Sequence, residues 1–148
     1  MRILIQRVTS ANVMIEDRIV GAINRGFCVF VGISESDTRE IADKMIHKLV
    51  NMRIFSDACG KTNLNLASVD GELLIISQFT LYADCRHGNR PSFLEAGKPE
   101  PSRELYEYMI AKCRQSVPRV EHGEFGADMQ VSIVNDGPFT VWLDSEML

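Results

Sequence analysis

The chain has 148 residues, with 16 Lys and Arg against 20 Asp and Glu for a formal net charge of −4, and it is 45% hydrophobic and 24% charged. A chain of this length buries roughly two thirds of its unfolded surface without needing disulfides or a structural metal, and it contains no run near the roughly 20 apolar residues of a membrane helix. The acidic balance excludes a protein that coats nucleic acid by bulk electrostatics, because such affinity grows with the number of phosphates neutralised.

From the N-terminus, MRILIQRV alternates apolar and polar residues and lacks the apolar core of a signal peptide, so it is expected to be a first strand of a cytoplasmic protein. ILIQRVTSANVMIEDRIVGAI reads as three short antiparallel strands with a turn at Glu16-Asp17. GFCVFVGI, residues 26–33, is a continuous apolar run bounded by glycine, as expected of a central strand covered on both faces. Asp37-Thr-Arg-Glu40 has the form of a helix N-cap with an acidic residue three places on, and Ile41, Ala42, Met45, Ile46, Leu49 and Val50 then share one helical face.

RIFSDACGKTN reads as a strand running into a turn, and ELLIISQFTLYA, residues 72–83, is the strongest strand signal in the chain. A polar loop follows, in which Arg86, His87, Arg90, Lys98 and Arg103 outnumber Glu95 and Glu100. It reads either as a local phosphate contact or as a solvated loop. Pro101-Ser102 introduces a second helix with Leu105, Tyr108, Met109, Lys112 and Cys113 on one stripe, ending before Val117-Pro118. RVEHGEF, MQVSIV and FTVWLD are expected as three final strands, with Asn135-Asp136-Gly137 a hairpin turn between the last two and Pro138 at the entrance of an edge strand. No linker or repeat divides residues 1–148, and the order of elements predicts one mixed α+β domain with helices layered on one side of its sheets.

The cysteines, Cys28, Cys59, Cys85 and Cys113, form no C-x-x-C pair, and His47, His87 and His122 share no ligand spacing with them; no metal is expected. The chemistry is concentrated instead in two polar interruptions. In strict alternation Gln78 and Thr80 share a face of the 72–83 strand, and an unsatisfied buried amide or hydroxyl costs roughly 1–3 kcal/mol. These groups therefore either line a pocket or lie partly wet at a sheet end. Thr80 is a weak candidate nucleophile, since no base lies near it in sequence. At Gly137-Pro138 the alternative to a simple turn is a rigid wall free of side chains, because an X-Pro bond can be cis and glycine lets main-chain carbonyls project into a site.

SQFTLYAD (77–84) together with NDGPFT (135–140) resembles the two signature segments of the D-aminoacyl-tRNA deacylases. MRILIQRVTSANV, VGI at 31–33, RPSF at 90–93, LYEYM and FGADMQVSIVNDGP are similar to that family in order and spacing, so the resemblance covers nearly the whole chain. It implies a layered β/β/α sandwich with mostly antiparallel sheets and two main helices, working as a homodimer with active sites at the subunit interface. It also implies a hydrolase, without metal or cofactor, that removes D-amino acids and mischarged glycine from the 3′-terminal adenosine of tRNA.

Carried over, Ser77, Gln78, Phe79 and Thr80 border the ester carbonyl, the N–H near Phe79 stabilises the oxyanion, and Thr80 positions while water attacks with help from the RNA 2′-hydroxyl. Gly137 and Pro138 match a Gly-cisPro gate from the partner subunit that excludes L-residues, with Arg7 bracing it and Thr140 supporting it. Three positions depart from the family pattern. Phe139 stands where a smaller aliphatic is more usual, and Cys85 and His87 where hydroxyl and lysine side chains are more usual. Phe139 either tightens the pocket wall or packs in the core. A non-enzymatic module binding the tRNA 3′ end and a Thr80-nucleophile amidohydrolase are the alternatives.

Overall fold

The computed structural model describes residues 1–148. Eight strands and two helices follow in the order β1 (Arg2–Ile15), β2 (Arg18–Ile23), β3 (Gly26–Gly32), α1 (Arg39–Val50), β4 (Phe55–Ser56), β5 (Thr62–Leu64), β6 (Glu72–Ser77), α2 (Pro99–Cys113), β7 (Val120–His122) and β8 (Gln130–Asp144). The main sheet runs β2-β1-β3-β6-β7, with β8 added on β1. β1 is antiparallel to β2, β3 and β8, while β3-β6 and β6-β7 are parallel. The fold is mixed α+β and mostly antiparallel, as the sequence and the resemblance imply.

β1 is one strand of 14 residues where the sequence suggests two short ones. Its first half, Arg2 to Val8, pairs with β3, and its second half, Ala11 to Ile15, pairs with β2. A strand that changes partner midway bends the sheet over itself, so the edges meet: Arg119 of the β7 segment donates from Nη2 to the Ala22 carbonyl of β2 at 2.9 Å. The turn into β2 is at Glu16-Asp17, both with positive φ, as an asparagine- or aspartate-type hairpin requires.

The continuous apolar runs are explained by two separate cores. Phe27, Val29, Leu73 and Ile75 face α1 and α2, where Ala42, Met45, Leu49, Tyr106 and Met109 complete a large cluster. The alternate residues Cys28, Leu74 and Ile76 face the curled part of the sheet, with Val8, Ala11, Val13 and Ile23. Both faces of β3 and β6 are thus dry, which removes the usual polar alternation. Burial pushes the Cys28 and Cys113 thiols up to about 12, so neither is a nucleophile at neutral pH.

Four local expectations are corrected. Helix α1 is capped by Thr38, whose Oγ1 accepts from the Ile41 N–H, one residue after the expected Asp37. The Asp37 carboxylate instead accepts from the Met1 ammonium and the Ser34 N–H. Helix α2 begins at Pro99, and its buried stripe is Ser102, Leu105, Tyr106, Met109, Ile110 and Cys113; Lys112 is half-exposed and pairs with Asp43. The strand over 72–83 ends at Ser77, and Phe79–Tyr82 form a 3₁₀ turn. The hairpin at 135–138 does not exist, since MQVSIV and FTVWLD are the two halves of β8 and both run antiparallel to β1.

The buried Tyr106 hydroxyl donates to the Ile75 carbonyl at 2.7 Å, tying α2 to β6 two residues before Ser77. That carbonyl also accepts from the Gly123 N–H, so it keeps a partner when the phenol is lost. Tyr106→Phe is therefore expected to cost about 1 kcal/mol of stability in chemical denaturation, the size of one net hydrogen bond.

Candidate active site

At the carboxyl ends of the parallel strands β3 and β6 lies a cleft of about 610 Å³. Val31, Ile33 and Ile76 form its floor, Ser77, Gln78 and Phe79 one wall, Phe93, Ala96 and Gly97 another, and Phe125 to Met129 with the start of α2 close the rest. Asp128 is the one ionisable side chain among these lining residues. Parallel strands leave such crevices at their carboxyl ends, because the chain must depart there into loops and helices.

The turn after β6 is built by packing. Gln78 continues the β3 pairing by donating its N–H to the Val31 carbonyl at 2.8 Å, and the chain then tightens into the 3₁₀ turn. Gly32 is what lets that turn sit on β3, since a Cβ there would lie 2.9 Å from Leu81 Cβ and 3.1 Å from the Gln78 carbonyl oxygen. The first bond closing the turn runs from the Leu81 N–H to the Gln78 carbonyl at 3.2 Å. The N–H groups of Phe79 and Thr80 precede it and have no partner inside the turn, as at any helix start.

Arg2 holds the turn from behind. Its Nη1 donates to the Leu81 carbonyl at 3.1 Å, its guanidinium lies 4.3 Å from the Tyr82 ring centre, and its Nε pairs with Asp144 at 3.1 Å. Burial raises the Tyr82 phenol to about 12, so it stays neutral beneath that cation. The sequence gives no hint of this role for Arg2, because its partners lie 79 and 142 residues away.

Of the first-motif residues, Ser77, Gln78 and Phe79 line the cleft, and Thr80 stands beside it, half-buried. Gln78 Nε2 donates to Thr80 Oγ1. An amide donor on that oxygen reduces its nucleophilicity, the opposite of what an activating base does. Phe79 is 58% exposed and meets Phe93 edge to face, with ring centres 5.0 Å apart, at the rim.

The second motif lies elsewhere. Gln6 of β1 pairs with Thr140 and Val8 with Asn135, so the single residue Arg7 faces four residues of β8, Asp136 to Phe139, which leave the ladder as a loop. The Gly137-Pro138 peptide bond is cis, and both residues are exposed. Arg7 Nε donates to the Asp136 carbonyl at 3.0 Å and pairs with its carboxylate at 3.3 Å, while Nη1 donates to the Ile54 carbonyl. Phe139 packs against the helix-side core with the Arg7 guanidinium 4.7 Å from its ring centre, which settles its place as core packing under the loop.

The chain does not bring its two motifs together. Arg7 is level with Phe27, whereas Ser77 is level with Val31, four residues along β3. At about 3.3 Å per residue and about 4.8 Å per strand across β8-β1-β3-β6, the loop and the cleft are on the order of 20 Å apart.

The basic loop is partly neutralised. Arg86 donates through Nε and Nη2 to the Asp84 carboxylate, holding that carboxyl down at about 2, and it also pairs with Glu95 at 3.5 Å. Lys98 pairs with Glu35 at 3.2 Å, and Arg103 lies 5.8 Å from the Phe125 ring centre.

Other proteins are similar to this chain in sequence or in fold. A protein of Clostridium tetani named D-aminoacyl-tRNA deacylase is 50% identical over 146 residues, covering 99% of this chain and 98% of its own length. One of Clostridium botulinum with the same name is 53% identical over 145 residues, covering 98% and 97%. Among solved structures, c-Myc DNA Unwinding Element Binding Protein superposes with a TM-score of 0.91 at 38% identity, covering 97% of this chain and 98% of that one. A probable eukaryotic D-amino acid tRNA deacylase superposes with a TM-score of 0.84 at 17% identity over 96% of this chain and 97% of that one, a likeness of fold alone. Residues 4–144 match the family model described as D-Tyr-tRNA(Tyr) deacylase, and with half of all positions shared with full-length relatives this chain belongs to that family.

Proposed function

We propose that this protein hydrolyses the ester bond of D-aminoacyl-tRNA, releasing the D-amino acid and tRNA, and that the same site clears glycine mischarged onto tRNA. Full-length relatives named for this reaction support it. The observation that carries it in the structure is the turn after β6, which begins with two main-chain N–H groups unpaired within it at the wall of a largely apolar cleft. Fixed donors of this kind stabilise the oxyanion that develops on an ester carbonyl and need no reactive side chain nearby. In this reading Ser77, Gln78 and Phe79 border the carbonyl and the terminal adenosine, Thr80 positions, and water attacks with help from the 2′-hydroxyl of the RNA. The reading invokes neither metal nor cofactor.

Selection against L-residues requires something close to the substrate Cα. Gly137 and Pro138 suit that role, presenting carbonyls with no bulky side chain, braced by Arg7 and flanked by Thr140. They lie too far from the cleft of their own chain to act there, so a second copy must deliver them, giving a homodimer with its sites at the interface. The 15-residue edge strand β8, paired only with β1 and exposing Val134 and Trp142, is the surface such a partner would cover. Residues 1–148 act in this proposal as one domain in the cytoplasm, where charged tRNA is used; no helix is long and apolar enough to cross a membrane.

D-tyrosyl-tRNA is expected to be deacylated by the purified protein while L-tyrosyl-tRNA survives, read by release of labelled tyrosine. Equal rates, or tight binding of uncharged tRNA with no turnover, would overturn the proposal. No observation favours Thr80 as nucleophile, given its amide donor, and the pairing of Arg86 and Lys98 weakens the case for a pure RNA-end-binding module.

A further inference from the structure

The loop at 136–139 raises an accounting problem. Four residues oppose one, Gly137 and Pro138 are exposed, and little apolar surface holds them. A main-chain wall that selects by exclusion must nevertheless be stiff, since a displacement of about 1 Å defeats positioning. The loop's polar groups must therefore be fixed by partners.

Two side chains supply them, one at each end. Arg7 takes the first carbonyl, that of Asp136, at 3.0 Å. At the far end the Phe139 N–H donates to Asn135 Oδ1 at 2.7 Å, and the same amide donates from Nδ2 to Thr140 Oγ1 at 3.2 Å. Gln6 Nε2 approaches that hydroxyl at 3.4 Å from β1. The orientation of the amide is fixed by chemistry, because only its oxygen can accept from the Phe139 N–H. Asn135 thus closes the neck of the loop, joining the residue before the excursion to the two residues that end it.

We infer that Asn135 is a positioning residue for stereoselection: its amide sets the direction in which the Gly137 and Pro138 carbonyls project, without itself touching substrate. This rests on the function proposed above and assigns a further determinant to the same site. The position needs an acceptor for the Phe139 N–H and a polar partner for the Thr140 hydroxyl on one short planar group, which asparagine has and the isosteric leucine lacks. Aspartate keeps the acceptor for Phe139, and the Thr140 hydroxyl, free to rotate, can donate to its second oxygen.

The test uses full-length Asn135→Leu and Asn135→Asp beside wild type, with two readouts. Without substrate, amide hydrogen exchange should show the Phe139 N–H protected in wild type and Asn135→Asp, and faster by about tenfold in Asn135→Leu, the scale of one lost hydrogen bond. With D- and L-tyrosyl-tRNA below the melting temperature, Asn135→Leu should lower kcat on the D-substrate and the D/L ratio by about tenfold while KM stays unchanged, and Asn135→Asp should restore most of the ratio. A role in stability alone predicts a lower Tm with the D/L ratio intact, and that result would overturn the inference, as would unchanged Phe139 exchange in Asn135→Leu. If wild type itself shows no D/L preference, the functional reading fails, whatever the exchange data say of the clasp.

Discussion

Two crippled variants, Phe79→Pro and Gly137→Val, are expected to regain about a quarter of wild-type deacylation when co-expressed or refolded together, although each alone is nearly inactive. Phe79 opens a 3₁₀ turn, where proline's fixed φ is tolerated, and Gln78 before it has ψ 82°, outside the helical region that proline disfavours. The substitution therefore removes one N–H, together with the ring, at little backbone strain, and loss of one oxyanion donor costs about 10²–10³ in rate. Phe79→Ala keeps that N–H and separates the donor's contribution from that of the ring. Gly137→Val places a branched side chain on a residue with φ 138°, beside the Phe139 backbone. If sites are built from the turn of one subunit and the loop of the other, random mixing makes about half of the dimers mixed, and each mixed dimer holds one site with both parts intact. If each subunit were self-sufficient, the mixture would show only the sum of the two residual activities. The roughly 20 Å between the motifs in one chain is what makes the first outcome the expected one.

Much of the fold is legible in local sequence, and what is not depends on distant partners. β3 and α1 announce themselves by a continuous apolar run and a helical stripe, and both are found where the pattern places them. The end of β6 is hidden, because Phe79, Thr80 and Tyr82 have good strand propensity; the turn forms there because Gly32, some 50 positions earlier, leaves room for Leu81 and because Arg2 holds the Leu81 carbonyl. Likewise Asn135-Asp136-Gly137 is sound hairpin chemistry, and only the pairing of both flanks with β1 makes it an excursion inside one strand. The α2 stripe is misphased for a related reason: Lys112 lies where the second helix meets Asp43 of the first, not where it meets the sheet. For the site, residue types and the resemblance point to Ser77 through Thr80 and to Gly137-Pro138. The clasp at Asn135 and the brace at Arg2 are invisible without geometry, since asparagine in a turn and arginine in a first strand have ordinary explanations.

Gly137→Ala is the smallest change that tests the gate itself. Alanine at φ 138° is strained by about 1–3 kcal/mol, and its Cβ would lie 3.0 Å from the Phe139 nitrogen and 3.2 Å from both Phe139 Cβ and Arg7 Nη2. None of these neighbours gives way easily. The Phe139 nitrogen is held on Asn135, its ring is packed in the core, and Arg7 is tied to Asp136 and Ile54. Relief must come from the loop, and moving the loop moves the two carbonyls that are to crowd an L-residue. The expected result is a fall of about 10- to 100-fold in kcat/KM on D-aminoacyl-tRNA, which is that strain expressed as a rate, together with a D/L ratio drawn toward unity. Global stability should fall by no more than the local strain, because the loop is exposed and can distort without opening either core. Unchanged rate and unchanged ratio, in a variant whose crystal structure or amide exchange shows the loop displaced, would remove Gly137 from the selecting surface and leave the cleft to discriminate enantiomers on its own. The same variant assayed on glycyl-tRNA separates the two parts of the loss: glycine has no Cα substituent to exclude, so its rate reports the displaced carbonyls' effect on catalysis, and any further change in the D/L ratio reports exclusion.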